Sequence, residues 1–346
     1  MQQVYRLRMS MWRGGRSLAY CRDAWRRSCH SWQSRLLSLS SSSTEVTIVE
    51  VGPRDGLQNE TTTPLTVNQR VELVRLLARA GCPKIEVGSF VSPKWVPAMA
   101  NSDQVYERLH DLKGTTTLSC LVPNTKGMQD AQRVQVDEIA IFAAASESFS
   151  QKNINCSIDE SMARYTDIIK MAKHSNIPVR GYLSCVVACP YEGSVDPRIV
   201  AQRTQQLLDM GCYEVSLGET IGVATAASTR DMLQAVIATV PAERLAVHFH
   251  DTYGQAVANT LVALEEFDIR VVDAAVAGLG GCPYAPGAAG NLATEDLLYL
   301  LDGLGVTTGV DMARLVEGAT FVSDILGRPS RSKAGVAFAA KQALCK

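Results

Sequence analysis

The feature that most constrains this 346-residue chain is a regular alternation of short apolar runs with helical stretches, beginning near residue 45. The runs are rich in β-branched residues, and the loops between them carry Gly, Pro, Asn and Asp. Eight runs are predicted strands: EVTIVEVG (45–52), KIEVGSF (84–90), TTLSCLV (116–122), EIAIFAAAS (138–146), VRGYLSCV (179–186), YEVSLGE (213–219), RLAVHFH (244–250) and VVDAAVAG (271–278). Capping-box spacing at Thr66 with Gln69, and at Ser157 with Glu160, marks helix starts between them. This pattern predicts a closed (β/α)8 barrel more than an open doubly wound sheet.

The two ends of the chain differ from this repeating body. Residues 1–43 contain eight Arg, no Lys and one acid, Asp23, and they are rich in Ser without a continuous apolar run. That composition predicts a mitochondrial transit peptide, with a disordered basic tail as the alternative. We expect the barrel to span residues 44–304 and a helical appendage packed on it to span residues 305–346.

Composition argues against several classes of protein. The formal net charge is −1, and because the N-terminal segment is basic the remainder is acidic, so nothing favours nucleic-acid binding. No stretch reaches the ~18 apolar residues that a membrane span needs. The 10 cysteines are irregularly spaced without a CxxC pair, which predicts reduced, mostly buried thiols rather than a disulfide scaffold.

The seventh predicted strand ends in HFHD, which places His248 and His250 two residues apart. Since strand side chains alternate, both imidazoles point the same way while Phe249 points oppositely. Barrel closure makes the eighth strand a neighbour of the first, which brings Asp55 and the loop residue Asn291 toward the histidines. Two imidazoles, a carboxylate and an amide oxygen predict a site for Mg²⁺ or Mn²⁺, with Zn²⁺ or Fe²⁺ less favoured. A pair of purely structural histidines is the alternative.

Other polar residues fall at the carboxyl ends of the predicted strands, where the loops of a parallel barrel surround one mouth. Arg54 precedes Asp55 in GPRDG, where it would stabilise an oxyanion or form a plain ion pair on a turn. Glu86 lies within the second strand and Glu219 ends the sixth. Cys282 lies in GLGGCPYAPGAAG, which predicts a mobile lid carrying a thiol, although a loop cysteine can also be incidental.

Five segments together resemble the 3-hydroxy-3-methylglutaryl-CoA lyases: EVGPRDGLQNE (50–60), SFVSPKWVP (89–97), NINCSIDES (153–161), HDTYGQA (250–256) and GLGGCPYAPGAAGNLATEDLLYLL (278–301). The last of them is the most specific. The resemblance implies cleavage of 3-hydroxy-3-methylglutaryl-CoA to acetyl-CoA and acetoacetate, in leucine catabolism and ketone-body formation. It also implies an acyl-CoA substrate and the mitochondrial matrix. We expect a homodimer with neither a nucleic-acid nor a membrane partner.

The resemblance assigns roles to residues that already stand out. Its metal-ligand places fall on Asp55, His248, His250 and Asn291. Arg54 takes the place that contacts the thioester, Glu86 an essential acidic place, and Cys282 the place of the catalytic thiol. His248 and Glu219 are the candidates for the base that removes the hydroxyl proton of the substrate.

One motif departs from the family pattern. The usual SLGDTIG appears here as SLGETIG, so Glu219 stands where an aspartate is expected. Alternation along the strand predicts that Glu219 and Leu217 share one side and face the barrel interior. The added methylene either hinders catalysis or has been accommodated by neighbouring residues.

Two other functions remain open on sequence. Isopropylmalate and homocitrate synthases share the barrel and the HxH pair but run a Claisen condensation; they typically open with an RDGEQ-like motif and lack the cysteine segment. A barrel kept only for binding would be expected to have lost a ligand or lid residue.

Overall fold

The structure, a computed structural model, describes residues 45–60, 62–281 and 290–344. The predicted transit peptide (1–43) lies outside the described residues. Eight parallel strands close into a barrel: β1 (Thr47–Glu50), β2 (Lys84–Ser89), β3 (Thr117–Leu121), β4 (Glu138–Ala144), β5 (Val179–Ser184), β6 (Glu214–Glu219), β7 (Leu245–Phe249) and β8 (Val271–Ala274). Each strand pairs with its sequence neighbours, and β8 pairs with β1. The prediction of a (β/α)8 barrel is confirmed.

Helices connect and surround the strands: α1 (Val67–Arg79), α2 (Ser102–Glu107), α3 (Thr125–Arg133), α4 (Glu147–Ile154), α5 (Ile158–His174), α6 (Pro197–Met210), α7 (Ala226–Ile237), α8 (Ala256–Phe267), α9 (Thr294–Gly303), α10 (Met312–Leu326) and α11 (Lys333–Ala343). Both predicted capping boxes are present, at Thr66 with Gln69 and at Ser157 with Glu160. Among the described helices, none combines the length and the apolar character that a bilayer crossing demands.

The eighth strand shows the largest difference from the predicted bounds. The sequence predicts a strand that reaches residue 278, but the strand ends at Ala274. A short 3-10 turn, Val276–Gly278, follows it, and Ala277 adopts a positive φ of 59°. An extended strand cannot pass through that conformation, so the chain turns here toward the segment that precedes residue 282.

The two faces of the barrel strands differ in polarity: charged side chains lie on the inner face and apolar side chains on the outer face. Arg180, Glu214 and Asp273 form buried ion pairs within the interior. The opposite faces of the strands carry apolar side chains such as Val247 and Phe249, which belong to the main hydrophobic core. The functional side chains therefore emerge from a charged interior rather than from an apolar one.

The C-terminal helices pack onto the barrel. Helix α10 packs against α1, and the backbone N–H of Asp311 donates to the carbonyl oxygen of Ala80 at 2.7 Å. The carboxylate of Asp296, on α9, accepts from the backbone N–H of Ala334 at 2.7 Å in the first turn of α11. The predicted helical appendage is confirmed.

Candidate active site

The first side chains of the site are carried by a π-turn, Gly52–Gly56, that follows β1. The carbonyl oxygen of Val51 accepts from the backbone N–H groups of Arg54 (3.2 Å), Asp55 (2.8 Å) and Gly56 (3.2 Å). Glycine is needed at position 56 because a Cβ there would lie 2.7 Å from the Cβ of Leu279. The turn therefore packs closely against the segment that precedes residue 282.

The four predicted metal ligands lie together at the mouth of the barrel. Asp55, His248 and His250 each offer a ligand atom, and these atoms lie within 4.8 Å of one another. The Nε2 atom of His248 is 3.8 Å from Oδ2 of Asp55. Asn291 forms an isolated β-bridge with His250, and its Nδ2 donates to Oδ2 of Asp55 at 2.9 Å. Barrel closure thus brings the four residues together, while their role as ligands stays a prediction.

Both imidazoles have one nitrogen engaged by the protein. Nδ1 of His250 is 2.8 Å from the carbonyl oxygen of Glu219, and Nδ1 of His248 is 3.1 Å from Oδ2 of Asp273. A carbonyl or an ionised carboxylate can only accept, so in the neutral rings each Nδ1 carries the proton. Each Nε2 then presents a lone pair, which is the form in which histidine binds metal ions.

An unpartnered buried oxygen supports the fit of a cation. Oδ1 of Asn291 is buried and accepts no hydrogen bond from the described residues. The Nδ2 of the same amide is engaged, since it donates to Asp55 and to the carbonyl oxygen of Leu279 at 3.1 Å. Such an oxygen costs about 1–3 kcal/mol when nothing pairs with it. A divalent ion bound by two imidazoles, a carboxylate and this amide would relieve that cost.

The electrostatics of the site favour the ionised form of Asp55 and the neutral form of His250, but they favour the protonated ring of His248, whose proton on Nε2 a metal ion would have to displace. Burial would raise the pKa of Asp55, but Arg54 and the two histidines more than offset it and lower that pKa to about 2. Burial lowers the pKa of His250 to about 4. Burial also opposes the cation of His248, but Asp273 and Asp55 outweigh it and raise the pKa of that ring.

Arg54 is held between two carboxylates. Its Nη1 lies 2.8 Å from Oδ1 of Asp55, and its Nη2 lies 2.7 Å from Oε2 of Glu86. The hydroxyl of Tyr182 donates to the same oxygen of Glu86 at 3.1 Å, and burial raises the pKa of Glu86 against the opposing effect of Arg54. Among the described residues, Nε of Arg54 and Oε1 of Glu86 have no hydrogen-bond partner. Both side chains therefore retain one polar atom that is free to form a hydrogen bond with a bound molecule.

The side chain of Glu219 lies on the outer side of the strand, and the prediction that it faces the barrel interior with Leu217 is wrong. In the register of β6 with β7, Glu219 pairs with Phe249 and not with the inward-facing His248. Its Oε1 accepts from the backbone N–H of Val223, in the following loop, at 3.1 Å. Burial raises the pKa of this carboxyl to about 7. The catalytic role of Glu219 stays a prediction.

Cys282 lies outside the described residues, as does the rest of residues 282–289. The residues on either side of this segment are tied to the site. Nδ2 of Asn59, just after the π-turn, donates to the carbonyl oxygen of Gly281 at 2.9 Å. The backbone N–H of Asp251, next to His250, donates to the carbonyl oxygen of Gly290 at 3.1 Å. The role of Cys282 stays a prediction.

Sequence reasoning missed three buried residues that contact the site: Arg180, Tyr182 and Asp273. Arg and Asp are almost never fully buried without a partner. A charged residue inside an apolar strand such as VRGYLSCV or VVDAAVAG was therefore a usable signal. The pairing itself joins residues 93 positions apart, and one sequence alone does not reveal it.

The fold and the site define a (β/α)8-barrel enzyme with a candidate divalent-metal centre at the carboxyl ends of its strands. A family model described as HMGL-like matches residues 45–322. The mitochondrial hydroxymethylglutaryl-CoA lyase of Arabidopsis thaliana is 56% identical over 293 residues, which cover 84% of this chain but only 62%, less than two thirds, of that relative. A Pseudomonas aeruginosa protein named 3-hydroxy-3-isohexenylglutaryl-CoA/hydroxy-methylglutaryl-CoA lyase is 54% identical over 297 residues, covering 86% of this chain and 98% of the relative. The chain belongs to the hydroxymethylglutaryl-CoA lyase family.

Solved structures agree with this membership. The crystal structure of hydroxymethylglutaryl-CoA lyase from Pseudomonas aeruginosa has a TM-score of 0.84 and 53% identity, covering 87% of this chain and 100% of that chain. An HMG-CoA lyase structure from Acinetobacter baumannii, in complex with coenzyme A and 3-methylmalate, has a TM-score of 0.80 and 31% identity, covering 85% and 95% of the two chains.

Proposed function

We propose that this chain cleaves 3-hydroxy-3-methylglutaryl-CoA to acetyl-CoA and acetoacetate. The observation that carries the proposal is the convergence of Asp55, His248, His250 and Asn291 beside Arg54 at the mouth of the barrel. The names of the relatives support the substrate class, and the structure that contains coenzyme A supports an acyl-CoA.

Asp55, His248, His250 and Asn291 would hold Mg²⁺ or Mn²⁺. The bound ion would acidify and orient the substrate hydroxyl and carboxylate. Thiolate ligands would favour Zn²⁺, and none stands among these four residues.

The base that removes the hydroxyl proton has two candidates, and the geometry favours His248. Its Nε2 faces the interior next to Asp55, whereas the carboxylate of Glu219 reaches the loop at Val223. The same lone pair would bind the metal ion, so His248 would act as the base only where Asp55, His250 and Asn291 hold the ion without it. Glu219 would then act indirectly, by holding the loop at Val223. The residues around it would be adapted to its longer side chain.

Arg54 would stabilise the charge that develops on the thioester. When the hydroxyl proton leaves, the oxygen forms the ketone of acetoacetate and the electrons of the broken carbon–carbon bond pass to the acetyl-CoA fragment. The resulting enolate oxygen needs a fixed cation. Arg54 is buried and held by Asp55 and Glu86, so its guanidinium is already in place.

Cys282 would supply the last proton. The carbanion form of acetyl-CoA must be protonated at carbon, and a thiol, with an ordinary pKa of about 8.5, is a suitable donor for that step. The donor takes part in this step only, so its loss would leave substrate and metal binding in place.

The metal requirement tests the site directly. Purified chain treated with EDTA should lose cleavage of 3-hydroxy-3-methylglutaryl-CoA and regain it with Mg²⁺ or Mn²⁺. His250→Ala should lower the affinity for Mn²⁺ by a factor of some tens or more, because one of the two imidazole ligands is removed. Full turnover in metal-free protein would refute this part of the proposal.

Residues 1–43 would direct the chain to the mitochondrial matrix, and the mature chain would begin near residue 44. Fusion of these residues to a fluorescent reporter should give mitochondrial fluorescence, and a cytosolic signal would contradict the assignment. A homodimer is proposed as well, and sedimentation equilibrium measures it.

A further inference from the structure

The side chain behind His248 belongs to a charged network inside the barrel that has no part in the proposed reaction. Asp273, on β8, is 1% exposed and pairs in register with His248 on β7. Its Oδ2 lies 3.1 Å from Nδ1 of His248 and accepts from the hydroxyl of Ser216 at 2.7 Å. Asp273 is thus the hydrogen-bond partner of Nδ1 of His248.

Arg180 holds Asp273 from across the barrel. It extends from β5, with two strands between β5 and β8. Its Nη2 donates to Oδ1 of Asp273 at 2.8 Å and its Nη1 to Oδ2 at 3.1 Å. The Nε of the same guanidinium donates to Oε1 of Glu214 at 2.7 Å. A bidentate pair of this kind fixes both the position and the charge of the carboxylate.

This arrangement determines which nitrogen of His248 is free. Arg180 and Ser216 donate to the carboxylate of Asp273, so that carboxylate can only accept from Nδ1. In the neutral ring the proton therefore lies on Nδ1, and the lone pair of Nε2 faces Oδ2 of Asp55 at 3.8 Å. His250 reaches the same tautomer through the backbone carbonyl of Glu219. Only the His248 tautomer depends on a side chain.

We propose that Asp273, held by Arg180, is a positioning residue that fixes the tautomer and ring orientation of His248 and thereby sets the affinity of the site for a divalent metal ion. The inference rests on the metal site of the proposed function. Removing the partner behind a metal-binding histidine typically costs about 10- to 100-fold in metal affinity, which sets the expected size of the effect.

Asp273→Asn is the most direct test. The amide either turns its NH2 toward Nδ1, which moves the ring proton to Nε2, or points that NH2 at the donors of Arg180. Arg180 keeps Glu214 as a carboxylate partner, so its buried charge stays paired and the barrel should fold. We expect the dissociation constant for Mn²⁺, measured by electron paramagnetic resonance on the full chain, to rise about 10- to 100-fold.

Glu214→Gln is the matched control. It removes the same charge from the other side of Arg180 but leaves the acceptor of His248 in place, so Mn²⁺ affinity should change by less than about threefold. Equal losses in the two variants would mean that the network acts only through stability, and would overturn the proposal. Mn²⁺ binding by Asp273→Asn that equals that of the unmodified chain would overturn it as well.

A second readout does not depend on how the variants fold. Nitrogen-15 NMR of the imidazoles in the unmodified, metal-free chain, at alkaline pH, should show the proton of His248 on Nδ1. A proton on Nε2 would overturn the inference even if Mn²⁺ binds, leaving the proposed function intact. An unmodified chain that binds no Mn²⁺ would overturn both the inference and the proposed metal site.

Discussion

Replacing Glu86 with glutamine tests whether Arg54 is fixed by its two carboxylates. Glu86 is fully buried, and its Oε2 lies 2.7 Å from Nη2 of Arg54, whose side chain is 7% exposed. Breaking a buried ion pair costs about 3–5 kcal/mol. Arg54 keeps Asp55 as a partner, so the lower end applies, about 3 kcal/mol. For a domain of this size that corresponds to a fall in Tm of about 5 °C.

The change should also affect catalysis, since Arg54 is the proposed donor to the thioester oxygen. Loss of one oxyanion contact costs about 100-fold or more in kcat, and a guanidinium released from Glu86 would approach that loss. Tyr182→Phe is the matched comparison for stability, because it removes one hydrogen bond to the same carboxylate oxygen but leaves the ion pair in place; a hydrogen bond to a charged group is worth about 1.5–3 kcal/mol.

Differential scanning calorimetry in EDTA, followed by kcat measurements with Mg²⁺, measures both effects. A Tm for Glu86→Gln equal to that of Tyr182→Phe, with kcat within about twofold of the unmodified chain, would refute the reasoning that this pair fixes Arg54.

Three further predictions concern other residues. Cys282→Ser should lower kcat by orders of magnitude while Mn²⁺ affinity is kept, because a hydroxyl is a far weaker acid than a thiol; a normal kcat would make the thiol incidental. Glu219→Asp should lower kcat because the shorter acid withdraws from the N–H of Val223, and Glu219→Gln should lower it further; equal kcat in all three forms would remove position 219 from the chemistry. Burial raises the pKa of Glu295 from 4.5 to about 8, so its stabilising effect is full below the lower value and lost as the pH rises through the upper one. The free energy of unfolding of the unmodified chain should therefore fall as the pH rises from 4.5 to 8. That of Glu295→Gln should fall less, by a difference of the order of 5 kcal/mol; urea unfolding measures both, and identical pH profiles would contradict the shift.

The barrel was predictable because its determinants are local. Each strand is a short apolar run bounded by turn residues, and the period of two alone placed His248 and His250 on one side and Phe249 on the other. Closure then followed from the number of units, which was enough to bring Asp55 toward the histidines.

The orientation of Glu219 was not predictable in the same way. Alternation states that Glu219 and Leu217 share a side, but it does not state which side faces inward. The register between β6 and β7 settles that by pairing Glu219 with Phe249. A strand of a parallel barrel is buried on both faces, so its apolar pattern does not mark which side faces inward.

The network behind His248 was hidden for a related reason. Asp273 and Arg180 each appear as one charge within an apolar run, and only the closed barrel brings them to 2.8 Å. Partners that fix a site from behind depend on tertiary contacts, whereas HFHD and GPRDG lie in continuous stretches and can be recognised without them.

The measurement that tests the central claim most directly is product analysis with the purified chain. Incubation with 3-hydroxy-3-methylglutaryl-CoA and Mg²⁺ should yield acetoacetate and acetyl-CoA in equal amounts, and EDTA should abolish both. No cleavage of this thioester, together with metal-dependent condensation of acetyl-CoA with a 2-oxo acid, would contradict the claim and place the chain among the condensing barrels.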